Sequence, residues 1–293
     1  EGAELTLEAN PDDVTLGKLQ GFARVGVNRL SLGVQSLNDG ELNLLGRIHT
    51  AAEARQAVKW ARSAGFGNLN LDLIYGLPGQ TRPDWQKTLD EVIKMGPEHL
   101  SLYCLSLENE TPMWRAIKEH RLPDIDPDAS ADQYELAEDL LAAHGYHHYE
   151  ISNWAKPGRE CPHNLTYWQN RPYLGAGVAA HSYLDGHRLA NTKSLDKYLA
   201  AFSHNLPPAL DLDEVINPEL ELAETVILGL RLSQGIYLDD IRGRFSIDLL
   251  ARYGRQVEEM VDADLLERTN RHIRLTPRGR LLSNEVFWRF LPE

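Results

Sequence analysis

Four stretches in the first 105 residues alternate between apolar and polar side chains. Their polar positions are Glu4, Thr6 and Glu8, then Arg29, Ser31 and Gln35, then Asn70 and Asp72, and finally His99, Ser101 and Tyr103. In a strand every second residue lies on the same face, so these side chains are expected to share one polar face. Buried polar groups cost free energy unless they are paired. The pattern therefore predicts a cavity in which a polar ligand supplies the missing partners.

Helical patterns separate the four stretches. The sequence predicts strands over residues 4–9, 29–34, 68–74 and 99–105, with helices over 15–25, 50–65 and 82–94 between them. Strands joined through helices are expected to be parallel neighbours with right-handed crossovers. The barrel of an ordinary protein of this kind is filled with branched apolar side chains, so a polar interior would be unusual. The alternative is an antiparallel sheet with one face in solvent.

Composition narrows the class of protein. The 293 residues are 42% hydrophobic, which is typical of a folded protein with one large α/β domain and a smaller one. The net charge of −13 argues against a protein that mainly holds nucleic acid. No apolar run is long enough to cross a bilayer and no leader pattern opens the sequence, so we expect a cytoplasmic protein without a membrane span.

Four segments carry highly specific motifs: EANP at 8–11, GVNRLSLGVQS at 26–36, LGRIH at 45–49 and DLIYGLPGQT at 72–81. In their order, spacing and residue identities they resemble the strand-end motifs of the HemN/HemW family of radical S-adenosylmethionine (SAM) proteins. The resemblance extends over essentially the whole chain. It implies an α/β fold: a partial, N-terminally truncated (β/α) barrel of radical SAM type, with SAM and a [4Fe–4S] cluster at the carboxyl ends of the strands.

The carboxyl-terminal part has a different pattern. Helices are predicted over 218–232, 238–244 and 247–261, followed by a strand and turn at 272–279, which together resemble a winged-helix module. The Pro-containing stretch 205–213 is the expected boundary. We therefore predict a barrel with its family-type extension over 1–204 and a mainly helical, winged-helix-like domain over 212–293.

The resemblance assigns Glu8, Gln35, Arg47 and Asp72 to SAM. It implies that the carboxylates of Glu8 and Asp72 bind the ribose hydroxyls or the amino group of SAM, and that Arg47 binds the carboxylate of SAM. Gln35 would act as a neutral donor and acceptor. SAM is a zwitterion with a sulfonium, so only a fixed set of polar partners can orient it. The alternative for Arg47 is a solvated charge at a helix end.

A second block, HNLTYW at residues 163–168, is similar to the HemW motif that is associated with heme. Imidazole is a common axial ligand of heme iron, and neighbouring tyrosine and tryptophan rings would suit a flat macrocycle. The resemblance makes His163 the candidate heme ligand. The alternative is a hydrogen-bonded structural histidine, which is the more frequent situation for a histidine among aromatic residues.

The sequence departs from the family at its cluster motif. The CxxxCxxC loop, which holds the cluster, is absent, and the only cysteines are Cys104 and Cys161. One thiolate such as Cys161 cannot hold a cubane, so we expect no cluster ligands in this chain. The motif is expected upstream of Glu1 in a longer protein; the alternative is a degenerate relative.

Three functions follow as hypotheses. The first is a HemW-like heme chaperone that binds heme or porphyrin and delivers heme to acceptor proteins. The second is an oxygen-independent coproporphyrinogen III oxidase, which decarboxylates propionates to vinyl groups to give protoporphyrinogen IX, and whether the chain is an enzyme stays open. The third, a nucleic-acid binder, rests on the arginines at 268, 271, 274, 278 and 280, but the acidic chain favours a solvated surface, so no nucleic acid is expected.

Overall fold

A computed structural model describes residues 2–204 and 206–292. The chain divides into two compact units, Glu1–Glu160 and Cys161–Glu293. The division lies earlier in the sequence than the predicted boundary at 205–213, whose first residue, Asn205, is outside the described residues. The segment that follows Cys161 therefore packs with the second unit.

Strands and helices alternate through the first unit, as the sequence predicts. Its strands are β1 (Thr6–Ala9), β2 (Arg29–Gln35), β3 (Leu69–Tyr75), β4 (His99–Cys104), β5 (His147–Glu150) and β6 (Asn153–Ala155). Its helices are α1 (Leu16–Arg24), α2 (Asp39–Leu44), α3 (Ala51–Ser63), α4 (Arg82–Met95), α5 (Pro112–Lys118) and α6 (Pro127–Ala143).

These six strands form one open sheet in the order β1-β2-β3-β4-β6-β5. Strands β1 to β4 are parallel neighbours, which confirms the prediction for the repeating strand and helix pattern. Strand β6 is antiparallel to both β4 and β5, because a tight connection rather than a helix joins β5 to β6. The sheet is therefore mixed, with an antiparallel edge.

Helices α1, α3, α4 and α6 cover the apolar face of this sheet. The core contains the leucines of β2, β3 and β4 together with fully buried Trp85 of α4 and Leu141 of α6. Capping signals set where two of the helices begin. The Thr50 and Thr81 side chains each accept a hydrogen bond from the backbone N–H of the third helix residue, and the carboxylates of Glu53 and Asp84 accept one from the backbone N–H of Thr50 and Thr81.

The opposite face of the sheet carries the polar side chains, and we call it the lumen face. Register pairs Ser31 with Asn70 and Asp72 with Ser101, so these side chains lie side by side across β2, β3 and β4. Alternation ends at the carboxyl end of β2, where the pairing with β3 shifts by one residue and Gln35 adopts a left-handed backbone with φ 64°. The position of Gln35 is therefore set by a β-bulge and not by simple parity.

The second unit holds shorter elements. Its helices are α7 (Pro162–Trp168), α8 (Leu195–Ser203), α9 (Pro218–Leu230), α10 (Leu238–Phe245), α11 (Leu249–Asp262), α12 (Pro277–Leu281), α13 (Ser283–Phe287) and a 3-10 turn at Trp288–Phe290. Its strands are β7 (His181–Leu184), β8 (His187–Asn191), β9 (Leu210–Val215), β10 (Ile236–Tyr237), β11 (Leu266–Arg268) and β12 (His272–Leu275).

Two small antiparallel sheets organise this unit. One has the order β7-β8-β9, so the predicted boundary at 205–213 runs into a strand that pairs with β8. The other has the order β10-β12-β11, in which β11 and β12 form the hairpin expected of a wing after α9, α10 and α11. The helical, wing-bearing carboxyl-terminal region therefore agrees with the sequence pattern. Among the described residues, no helix has the length and apolar character needed to span a membrane.

Candidate functional site

Asp72 lies on the lumen face of β3 and is held by hydrogen bonds from Ser31, Asn70 and Ser101. Ser31 donates its hydroxyl to Oδ2 at 3.0 Å, and the Asn70 amide donates to Oδ1 at 2.8 Å. Burial raises the pKa of Asp72, and these hydrogen bonds oppose that rise because they stabilise the carboxylate. The arrangement fixes the plane of the carboxylate while leaving lone pairs available for a ligand.

Glu8 stands at the lumen face of β1, in register with Ser31. Its side chain is exposed, whereas Ser31 is buried, so Glu8 lies at the open side of the polar cluster. Its negative charge also contributes to raising the pKa of Asp72. Two carboxylates that face one polar surface favour a ligand with hydroxyl or ammonium donors.

Gln35 and Arg47 both lie close to Asn10. Arg47 donates from Nη1 to Asn10 Oδ1 at 3.1 Å. A Cβ on Gly33 would come within 2.8 Å of Gln35 Nε2 and 3.2 Å of the same Asn10 oxygen, so the Gln35 amide lies over the glycine backbone. Arg47 is half-buried, so it is more constrained than the solvated helix-end charge of the alternative. The structure thus groups Gln35 with Arg47, and Asp72 with Glu8.

The cluster around Asp72 extends away from the open side through Asn70 and His99. Asn70 Oδ1 lies 2.6 Å from His99 Nδ1, and His99 Nε2 lies 2.8 Å from the Tyr149 hydroxyl. His99 is fully buried, and burial lowers its pKa to about 3, so its imidazole is neutral at physiological pH. The sequence placed Asn70 and His99 on the polar face but gave them no role.

His163 lies in the first turn of α7 with an exposed side chain. Its imidazole meets the Tyr167 ring edge to face, with centroids 4.7 Å apart, and Tyr167 meets Tyr173 in the same way at 4.5 Å. Neither ring nitrogen of His163 hydrogen-bonds to another residue within 2–204 and 206–292. An exposed imidazole of this kind can act as a ligand, whereas a structural histidine would be hydrogen-bonded.

The Trp168 ring, unlike the Tyr167 ring, does not contact the His163 imidazole. The Arg231 guanidinium lies over the Trp168 ring at 4.2 Å, and the ring lines a cavity of about 380 Å³ with Tyr237 and Arg244. In an α-helix, residues four apart share a face, while a fifth residue is turned by about 140°. The structure therefore places the Tyr167 ring, but not the Trp168 ring, beside the His163 imidazole.

The two cysteines do not form a cluster site. Cys104 is exposed at the end of β4, and Cys161 is buried at the start of α7 in the other unit. A [4Fe–4S] cubane takes more thiolate ligands than this chain has, so these residues do not fit the cluster. Among the residues that the structure describes, no group of three or more His, Cys, Asp and Glu is arranged to hold a metal ion.

The arginines near the wing are largely engaged within the protein. Arg274 forms a bidentate pair with Glu267, and Arg268 pairs with Glu258 at 2.5 Å. Arg278 donates to the Ala263 carbonyl oxygen. Carboxylate partners reduce the positive potential that a phosphate backbone requires, so these contacts favour the solvated-surface interpretation.

Comparison with known proteins gives two matching families. Residues 1–92 match the Radical SAM superfamily, and residues 216–282 match the HemN C-terminal domain. The matches lie on the parallel strands with the lumen face and on the helices with the wing. This agrees with the resemblance carried by the motifs.

Individual relatives extend over nearly the whole chain. The Heme chaperone HemW of Bacillus subtilis is 36% identical over 99% of this chain and 76% of its own length. The mouse Radical S-adenosyl methionine domain-containing protein 1, mitochondrial, is 34% identical over 99% of this chain and 68% of its own length. The structure of coproporphyrinogen III oxidase (HemN) from Escherichia coli, a radical SAM enzyme, superposes with a TM-score of 0.82 at 25% identity, covering 98% of this chain and 69% of that one. The chain therefore belongs to the HemW family of radical SAM proteins.

Proposed function

We propose that the protein is a heme chaperone that binds heme and delivers it to acceptor proteins. The observation that carries this proposal is the exposed His163 imidazole in a chain 36% identical to a HemW heme chaperone. His163 would ligate the heme iron, and the T-shaped contact with the Tyr167 ring would hold the imidazole in one orientation. Heme is the cargo in this scheme, so the bond to iron has to be reversible.

The lumen face would bind SAM. The polar groups on and beside it fit that ligand, since Glu8 and Asp72 supply carboxylates, Gln35 supplies an amide, and Arg47 from the segment after α2 supplies a guanidinium. SAM beside a reduced [4Fe–4S] cluster is a source of organic radicals. The residues of this chain would bind and orient SAM, and the cluster ligands are expected outside this sequence.

Absorbance titration with heme tests the chaperone proposal. We expect the wild-type protein to give a saturable Soret band and His163→Ala to lose most of the affinity, because the axial ligand is gone. His144→Ala is the matched control, since His144 is an exposed histidine at a helix end in the first unit. Identical spectra and affinities for wild type and His163→Ala would exclude His163 as the ligand.

Delivery is a separate property and needs its own measurement. Heme-loaded protein mixed with apomyoglobin, as a generic acceptor, should transfer heme faster than buffer-dispersed heme is taken up. Transfer that is no faster than from free heme would leave a heme-binding protein without chaperone activity.

An oxygen-independent coproporphyrinogen III oxidase is the second candidate, and the structural match to HemN favours it. Anaerobic incubation of the reconstituted full-length protein with coproporphyrinogen III, SAM and a reductant distinguishes the two functions. Vinyl product would support the oxidase, while SAM cleavage without vinyl product would dispose of it.

A further inference from the structure

A buried polar chain crosses the lumen face from Asp72 to Tyr149, and the proposed binding of heme and SAM leaves most of it unused. Asn70 is 3% exposed and His99 is 0% exposed. Polar groups buried this deeply are stable only when their hydrogen bonds are satisfied. The hydrogen bonds between Asp72 and Tyr149 therefore run in one donor-to-acceptor direction, which the negative charge of Asp72 determines.

Asp72 sets that direction. An ionised carboxylate only accepts hydrogen bonds, so the Asn70 group that faces Asp72 must be the amide nitrogen. The same nitrogen also reaches Ser31 Oγ at 2.7 Å. The Asn70 carbonyl oxygen then points to His99, and it requires a proton on His99 Nδ1.

The hydrogen bond at Tyr149 follows from the one between Asn70 and His99. Because His99 is neutral, a proton on Nδ1 leaves Nε2 as an acceptor, and Tyr149 donates its hydroxyl to it at 2.8 Å. Each donor in this chain therefore has one orientation that satisfies its neighbours. The amide of Asn70 is locked on both sides, by the charge of Asp72 and by the tautomer of His99.

We propose that Asn70 is a positioning residue for the SAM site, which holds the Asp72 carboxylate in the plane that the ligand needs, and that His99 and Tyr149 hold Asn70. The inference rests on the proposed binding of SAM at the lumen face. Ser31 donates to one carboxylate oxygen and Asn70 to the other, and the Ser101 hydroxyl also hydrogen-bonds to this carboxyl group. The lone pairs that are left for donors on the ligand are therefore fixed in direction.

Removing the amide tests the proposal. Asn70→Leu has nearly the same shape and no hydrogen-bonding groups, and we expect SAM to bind about ten- to a hundredfold more weakly by calorimetry. Asn191→Leu is the matched control, because it removes a buried asparagine amide in the second unit that donates to Gly177 O at 2.8 Å. We expect the control to bind SAM as the wild type does.

Milder variants keep the test valid if Asn70→Leu folds poorly. His99→Leu removes the donor to Asn70, and His99→Asn returns an amide donor near the position of Nδ1, so it should recover part of the affinity. Tyr149→Phe removes a single oxygen and should weaken SAM binding about threefold. A purely structural role would lower stability in all three variants without this order of affinities.

The ionisation of Asp72 gives a readout that needs no ligand. The charged or titratable groups that interact with it are Glu8 from β1 and Tyr103 from β4. Glu150, at the end of β5, acts on Tyr103, and Arg29 of β2 acts on His99. A pH titration of 13C-labelled aspartate by NMR should show a higher Asp72 pKa in Asn70→Leu than in the wild type, because a donor to the carboxylate is lost.

The binding and NMR results test the SAM site and the positioning role of Asn70 separately. Failure of the wild type to bind SAM would overturn the SAM site but leave the NMR comparison to decide on Asn70. An unchanged Asp72 pKa, or unchanged SAM affinity in a folded Asn70→Leu protein, would overturn the positioning role. A raised pKa with weakened SAM binding supports it.

Discussion

The imidazole of His163 and the phenol ring of Tyr167 meet edge to face across one turn of α7, at an interplanar angle of 82°. Tyr167 is itself held by Tyr173 at an angle of 81°. An exposed histidine ordinarily samples several rotamers, and a T-shaped contact with a neighbouring ring selects among them. The exposed imidazole is therefore available to a ligand and also restricted in orientation.

The first prediction concerns this contact. Tyr167→Ala should weaken heme binding about three- to tenfold, because aromatic pairs contribute about 0.5–1.5 kcal/mol beyond their buried area. Tyr167→Phe keeps the ring and should bind heme within about twofold of the wild type. Heme titrations of both variants check this, and equal affinity of Tyr167→Ala and wild type would contradict it.

The second prediction concerns the buried charge of Asp72. Burial raises the pKa of Asp72 in the folded protein, so ionisation there costs more than in the unfolded chain. This cost is absent below the ordinary aspartate pKa of about 3.9 and is fully present above the raised folded pKa. Asp72→Asn should therefore be more stable than the wild type at pH 7, on the order of 1 kcal/mol, while losing SAM affinity.

Thermal unfolding at pH 7 and at lower pH measures this difference. The advantage of Asp72→Asn should shrink as the pH falls through the folded pKa, because the wild-type carboxyl then becomes neutral as well. A wild type that is more stable than Asp72→Asn at pH 7 would contradict the prediction. It would mean that the hydrogen bonds from Ser31 and Asn70 outweigh the cost of burial.

The third prediction concerns the loop after β3. Gly76 has φ 73°, and a Cβ there would lie 2.8 Å from Ser130 Oγ of α6 and 3.3 Å from Cys104 Sγ. Gly76→Ala should cost at least about 1–2 kcal/mol from the left-handed backbone alone, with the contact to Ser130 added. Urea unfolding of Gly76→Ala, Ser130→Ala and the double variant should show partial recovery in the double variant, since the hydroxyl is removed. Additive losses would place the whole cost in the backbone.

Much of the first unit could be predicted from the sequence because its signals are local. Alternation in β3 and β4 predicts the face shared by Asn70, Asp72 and Ser101, and the capping box at Thr50 marks the start of α3. These signals depend on the side-chain period of 2 and on hydrogen bonds within one turn of helix. The order of the parallel strands follows from the crossover connections.

Other features depend on contacts that no local pattern encodes. The bulge that places Gln35 depends on pairing with β3, and the antiparallel edge depends on how β6 returns beside β4. Helical spacing alone could have predicted that Trp168 faces away from the His163 imidazole. It could not have predicted that Trp168 contacts Arg231, because Arg231 lies at the carboxyl end of α9. The link from Asn10 to Arg47 joins residues 37 apart in the sequence, so only the folded chain reveals it.

That link gives the fourth prediction. Arg47 keeps its charge in any variant of Asn10, so Asn10→Ala should remove the positioning of the guanidinium but not its attraction for an anion. We expect Asn10→Ala to weaken SAM binding about three- to tenfold and Arg47→Ala to weaken it more, because the latter also removes the charge. Arg47→Lys should fall between them, since a lysine keeps the charge without the fork of donors. Calorimetric titrations with SAM at low and high salt separate the two effects. The loss of SAM affinity in Asn10→Ala should be nearly independent of salt. A loss of affinity as large as that of Arg47→Ala would contradict the positioning role and show that Asn10 itself contacts the ligand.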